Sequence, residues 1–456
     1  MSDATDELDV IIRAGRAVID NAEVSAAVGV RDGMITWIDS YGATRPSHRE
    51  VMLADNEVLI PGVVDTHVHV NDPGRTEWEG FRSATRAAAL GGVTTLVDMP
   101  LNSIPPTTTV GALESKRRTA MPQAYIDVGF WGGAVPDNLS DLRPLHEAGV
   151  FGFKAFLLHS GVDEFPALDL VQLEAAMRRI CSFGGMIIVH AEDAGQIDRA
   201  PQPSGPSYAD FLVSRPDAAE QRAVADVIDL VRRTGCRAHI LHVSSAQVIN
   251  LITAARAKGL PITAETCPHY LAFAAEEIAD GATAFKCCPP IRNAANRQGL
   301  WDGLRTGAIS MIVSDHSPST IELKAPDVGD FGTAWGGVSS LQLGLSAVWT
   351  QARRRGFDLA DVVRWMCRTP AEWAGLPSKG RLAVGHDADL AIFDPDATFV
   401  VDPHALQHKN PITAYAGRTL EGVVSASWLR GTPVDLDALP RGRLLCPERP
   451  GSEQHG

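Results

Sequence analysis

The sequence predicts an α/β protein. A (β/α)8 barrel of the TIM type, residues 63–378, carries a small β-sandwich built from both chain ends, residues 1–62 and 379–456. Three observations predict this. Eight short apolar runs alternate with longer segments of helical period through the middle of the chain, the pattern of a parallel sheet with crossover helices. Both ends instead show short β-rich runs broken by turn signals. The 456 residues exceed one ordinary domain yet suit one large barrel with a smaller companion.

From Leu8 to about Leu59 the runs LDVIIR, VSAAVGV and MITWID are separated by Asp32-Gly33 and Tyr41-Gly42, which reads as hairpins. From about Lys379 the same texture returns in ADLAIFD, TFVVD and GVVSASW. Hairpins of this size are marginal alone, so the two ends are expected to pair. After about Leu445 the chain is rich in Pro, Glu, Ser and Gly and reads as a loose tail.

The eight central runs are VVDTHVH (Val63 to His69), VTTLVDM, YIDVGFW, VFGFKAFL, GMIIVHA, AHILHVS, PITAETC and ISMIVSD. Eight is the number that closes such a barrel. Helical segments fall between them. LVQLEAAMRRICSFG precedes the fifth run and AAEQRAVADVIDLVRRTG precedes the sixth, the latter ending in a glycine suited to a C-cap. No fixed-period repeat of the solenoid type is present.

Hydrophobic residues make up 45% and charged residues 21% of the chain, the balance of a soluble globular protein. Net charge is −14 with no dense Lys/Arg block, which argues against nucleic acid as a partner. The acidic start MSDATDELDV lacks the layout of a secretion signal, and no apolar run reaches about 18 residues, so a cytoplasmic protein without a membrane partner is expected. Seven cysteines without a C-x-x-C pair fit neither a disulfide framework nor a zinc knuckle, and are expected to be reduced and buried.

Metal-ligand residue types cluster at the C-terminal ends of the apolar runs: His67 and His69 on the first, Lys154 on the fourth, His190 on the fifth, His242 on the sixth and Asp315 on the eighth. Barrel enzymes assemble their sites at that face from several strands, so groups distant in sequence can converge. Residues i and i+2 of a strand share a face, so His67 and His69 can reach one ion. Each residue alone has a plain explanation in packing, a cap or a turn; the shared end of five different strands is what singles them out. His239, three residues before His242, is expected to point away and serve structure only. An unpaired carboxylate after ISMIV, as at Asp315, is costly unless a cation meets it. Lys154 in FGFKAFLL has little polar company beyond what a snorkelling lysine could find in water. Beside metal ions its neutral amine would be favoured, and a neutral amine can add carbon dioxide to give an anionic carbamate.

HVH after GVVD, Lys in GFKAF, His in IIVHAE, His in ILHVSS and Asp in VSDHSP together resemble the cyclic amidohydrolases: dihydropyrimidinases, dihydroorotases and allantoinases. The resemblance covers nearly the whole chain. It implies two divalent metal ions bridged by a carboxylated Lys154. His67, His69 and Asp315 would serve the more buried ion, His190 and His242 the other, with Asp315 as the catalytic proton acceptor. Zinc is the first expectation for such donors, with manganese, cobalt or iron compatible.

The longer blocks HVNDPGRTEWEGF, MPLNS, KCCPPIR, SDHSP and WGGVSSLQ are similar to allantoinases as a set. Dihydroorotases usually have Arg where this chain has Asn71. Dihydropyrimidinases usually place a Tyr shortly after the bridging lysine, where Phe156, Leu157 and Leu158 stand here. The resemblance therefore implies hydrolysis of the cyclic amide of allantoin to allantoate in purine catabolism. Asn102, Ser317 and the backbone at Cys288 are the expected substrate contacts, and a homo-oligomer, a tetramer by resemblance, the expected assembly. The alternatives are a hydantoinase or dihydropyrimidinase of another ring preference and a metal-free relative that acts through protein contacts.

Overall fold

The computed structural model describes residues 7–448. Five strands come first: β1 (Val10–Ile19), β2 (Ala22–Arg31), β3 (Met34–Ser40), β4 (Glu50–Met52) and β5 (Val58–Pro61). Asp32 and Gly33 both have positive φ, 53° and 80°. That is the backbone a two-residue hairpin needs to twist with its strands.

The middle of the chain supplies β6 (Val63–Val68), β7 (Val93–Asp98), β8 (Asp127–Phe130), β9 (Gly132–Gly133), β10 (Phe153–Phe156), β11 (Met186–His190), β12 (Arg237–Ile240), β13 (Ile262–Thr266) and β14 (Met311–Ile312). Each falls in or against one of the eight apolar runs; β8 lies in YIDVGFW and β9 directly follows it. They form two parallel sheets, β6-β7-β8 and β9-β10-β11-β12-β13-β14. Near-continuous burial of these strands explains why the sequence shows apolar runs rather than alternation. The helix Leu170–Cys181 starts at a capping box between Asp169 and Gln172, and Asp217–Thr234 ends at Gly235 with φ 69°, the left-handed C-cap its sequence announces.

Three strands follow: β15 (Leu390–Val400), β16 (Thr419–Leu429) and β17 (Thr432–Pro433). Most of ADLAIFD and of TFVVD lies in the single strand β15, irregular between Asp394 and Thr398. β15 pairs antiparallel with β5, Ile392 opposite Leu59, so the two chain ends join in one eight-stranded sheet ordered β17-β16-β15-β5-β1-β2-β3 with β4 beside β1. Ile12, Val28, Ile35, Leu59, Leu390 and Trp428 share one apolar cluster there.

A buried charge cluster ties this sheet to β8. Lys379 Nζ lies 2.7 Å from Asp127, 2.9 Å from Asp387 and 2.5 Å from Asp389, and Arg430 Nη1 lies 2.8 Å from both Asp127 oxygens. The tail is not loose where it is described. Leu445 N donates to Val128 O (2.8 Å), Val128 N to Arg443 O (2.9 Å) and Glu448 N to Gly375 O (2.9 Å). Residues 449–456, the rest of the expected tail, lie outside the described residues. All seven cysteines are free, but not all are buried: Cys446 is exposed and Cys181 and Cys288 are half-buried. Among the described residues no helix is long and apolar enough to cross a membrane.

Candidate metal centre

The six side chains at the strand ends meet. His67 and His69 stand at the end of β6, Lys154 on β10, His190 closes β11, and His242 and Asp315 follow β12 and β14. None is more than 8% exposed. Five of them line a cavity of about 360 Å³, a size fit for a small molecule. His67 lies against that wall, its Nε2 3.2 Å from Asp315 Oδ1 and 3.4 Å from Lys154 Nζ. His69 Nε2 is 3.6 Å from the same Asp315 oxygen. The His67 and His242 rings are 5.3 Å apart and those of His190 and His242 4.6 Å. Donor atoms of His67, His242 and Asp315 lie within 4.8 Å of one another.

The backbone turns out of strand geometry to achieve this. His242 (φ 36°) and Asp315 (φ 43°) are left-handed, which costs a non-glycine residue about 1–3 kcal/mol. Such strain persists only where the surroundings impose it.

Carboxylates hold two of the imidazoles from behind. His67 Nδ1 lies 2.5 Å from Glu265 Oε1, and His190 Nε2 lies 2.7 Å from Glu192 Oε2. Arg215 in turn donates Nε (3.0 Å) and Nη2 (2.6 Å) to Glu192. A carboxylate fixes the tautomer, so the opposite nitrogen is left as an acceptor facing the site. His69 Nδ1 and His242 Nδ1 are buried without any hydrogen-bond partner. His239 does not point away as expected. Its Nε2 shares Glu265 at 3.0 Å with His67, because the turn at His242 breaks the alternation that placed it outside.

Electrostatics oppose every charge in the cluster. Burial drives His67, His69, His190 and His242 below the ordinary imidazole range, with Lys154 adding to the effect. Burial lowers Lys154, partly offset by Asp315 and Glu265, and raises Asp315, partly offset by Lys154. It also pushes Glu265 up to about 8. Lys154 has no carboxylate hydrogen bond; its Nζ sits 5.0 Å over the Phe156 ring.

Asn102, Ser317 and Cys288 line the same cavity, as do Lys286, Arg215 and Trp335, which sequence reasoning did not single out. Glu265 and Glu192 were also missed. The signal for Glu265 was a carboxylate inside the apolar run PITAETC, where nothing local could neutralise it.

Residues 58–434 match the model of the amidohydrolase family. An allantoinase from Streptomyces avermitilis is 56% identical over 445 residues, covering 97% of this chain and 99% of that protein. An allantoinase from Saccharomyces cerevisiae is 48% identical and covers 86% of each. Among solved structures, the L-hydantoinase (dihydropyrimidinase) from Arthrobacter aurescens superposes with a TM-score of 0.90 at 30% identity, covering 96% of this chain and all of that one.

Proposed function

The chain belongs to the amidohydrolase family and within it to the allantoinases, and from that premise we propose that it opens the five-membered ring of allantoin by hydrolysis, giving allantoate. The observation that carries the substrate is high identity to allantoinases along nearly the full length of both chains.

The donor set fits metal ions. Two buried imidazole nitrogens lack partners, and two further histidines are backed by carboxylates. A carboxylate and a lysine without a counter-ion complete it, so a cation would satisfy groups that the protein leaves unsatisfied. In this reading His67, His69, Lys154, His190, His242 and Asp315 would together hold two divalent ions, His67, His69 and Asp315 serving one and His190 and His242 the other. Zinc is the first candidate, with manganese, cobalt or iron compatible. Lys154 would join as a carbamate: its neutral Nζ adds carbon dioxide and loses one proton, giving one negative charge. When bound, the ions polarise the ring carbonyl and make water a nucleophile at neutral pH.

Asp315 Oδ1, beside His67 and His69, takes a proton from the attacking water and passes it to the departing ring nitrogen. Glu265 and Glu192 keep His67 and His190 in the tautomers that face the site. Asn102, Ser317 and the backbone at Cys288 are read as meeting the ring and its ureido group; in support, they share the cavity wall with Lys154 and Asp315.

The two parallel sheets are read as arcs of one eight-stranded barrel over residues 63–378. In support, Phe151 N, just ahead of β10, donates to Phe130 O on β8, and His69 N donates to His316 O beside a Val68–His316 bridge. The sheet of residues 1–62 and 379–456 is read as curling into a sandwich around its own apolar cluster. A cytoplasmic homo-oligomer, a tetramer by family resemblance, completes the proposal.

The test is a parallel turnover assay on allantoin, hydantoin, dihydrouracil and dihydroorotate. Allantoin should exceed dihydrouracil in kcat/KM by at least about tenfold, equivalent to about 1.4 kcal/mol. Faster opening of dihydrouracil would overturn the substrate assignment and leave the metal centre standing.

A further inference from the structure

Asp315 belongs to a second group of donors. Cys267 Sγ, a ring nitrogen of His269 and an Asp315 carboxylate oxygen lie within 4.8 Å of one another. Cys267 follows β13 and precedes the short helix Pro268–Ala272, in which His269 is the second residue. Both Cys267 and His269 are 0% exposed. Neither nitrogen of the His269 ring has a hydrogen-bond partner, although imidazole always presents a donor or an acceptor at each. A buried polar ring with both nitrogens idle is an unfinished interaction. The reaction described above uses neither residue.

We propose that Cys267, His269 and Asp315 form a separate site for a thiophilic divalent cation, zinc or cadmium, and that filling it inhibits the enzyme by engaging Asp315.

Sulfur, imidazole and carboxylate are the donors that zinc and cadmium accept together, whereas manganese and magnesium prefer oxygen alone. Three protein donors leave a fourth tetrahedral position for water. The thiol must ionise to bind, so one proton leaves Cys267 for each ion taken up. Thiolate and carboxylate then supply two negative charges against the ion's two positive ones. Asp315 and Cys287 line the cavity, so the route inward passes the shared carboxylate. An Asp315 held by this ion cannot also shuttle the proton of ring opening. That consequence rests on the proposed function; the binding site itself does not.

The experiment takes the purified full-length protein with its native metals and adds zinc, cadmium or manganese stepwise. Bound metal is read by equilibrium dialysis, thiolate ligation by the cadmium–sulfur charge-transfer absorption, and activity by allantoin hydrolysis. One further equivalent of zinc or cadmium should bind, with thiolate absorption and at least a tenfold loss of activity, while manganese leaves activity unchanged. Cys267→Ser and His269→Gln should each weaken the extra ion at least tenfold and relieve the inhibition. Cys287→Ser should keep the absorption, and decides the matter should the first two variants fail to fold. No extra equivalent, or absorption that survives Cys267→Ser or vanishes with Cys287→Ser, overturns the proposal. A protein that opens no cyclic amide refutes the functional reading instead, since dialysis and absorption still report on this site.

Discussion

Burial alone favours the neutral carboxyl of Glu265, so its charge depends on cations in the site; replacing it by Gln keeps the shape of the residue and removes the charge it carries when they are bound, at a position 1% exposed. The carboxylate meets His67 Nδ1 with one oxygen and His239 Nε2 with the other, and its Oε1 also accepts from His242 N at 3.3 Å. An amide has one acceptor oxygen and one donor nitrogen, so one of the two histidines must change tautomer. If the new NH2 faces His239, that ring can shift its proton to Nδ1 and donate to Thr263 Oγ1, 2.6 Å away. If it faces His67, the proton moves to His67 Nε2 and blocks the nitrogen turned toward Asp315 and Lys154. The first arrangement is the cheaper, and it still exchanges a charged acceptor at His67 Nδ1 for a neutral one. A hydrogen bond to a buried charge contributes about 1.5–3 kcal/mol, so metal affinity should drop about 10- to 100-fold. Chelator competition on the folded variant measures it, with kcat/KM at saturating metal as the companion reading. Affinity within about twofold of the parent would refute the view that Glu265 fixes the working tautomer of His67.

Lys154→Ala and Lys154→Arg should both lose most activity, the first by removing the amine and the second because a guanidinium stays protonated and cannot form a carbamate; partial recovery of Lys154→Ala with added acetate or propionate supports the bridge, and near-parental activity without additive counts against it. Metal content should fall on acidification: the bound histidines must be neutral, and because burial holds them below their free pKa of about 6.5, protons compete only below that pH; full occupancy at about pH 4 would argue against histidine ligation. Lys379→Met leaves Asp127, Asp387 and Asp389 without their shared cation, so urea unfolding should show a loss of about 3–5 kcal/mol, and a loss under about 1 kcal/mol would mean the cluster is not a structural tie.

The strands and the six cluster residues were legible because parallel strands buried on both faces write apolar runs, and a polar residue ending such a run stands out. The helix Asp217–Thr234 was legible from its period and its terminal glycine. The side on which His239 faces was not. Alternation holds only while φ stays extended, and the left-handed turn at His242 has no marker in AHILHVS. Glu265 was hidden for another reason: its partners His67 and His239 come from β6 and β12, and no spacing rule links residues brought together by a sheet. The docking of residues 443–445 on β8 runs through backbone hydrogen bonds, to which composition is blind.

Pairing the first strands with the last sets a timetable for the molecule while it is being made. Asn56 and Asp394 touch across 338 positions of sequence. At roughly 5–20 residues per second, β5 must wait on the order of 20–70 seconds after leaving the ribosome for its neighbour β15 to exist. Throughout that interval the edge Val58–Pro61, fully buried in the finished protein, is an open invitation to other chains. Any product of early termination before Leu390 would keep that edge exposed permanently. Aggregation of such fragments, rather than mere inactivity, is the penalty of closing the sheet with the last part of the chain to be synthesised.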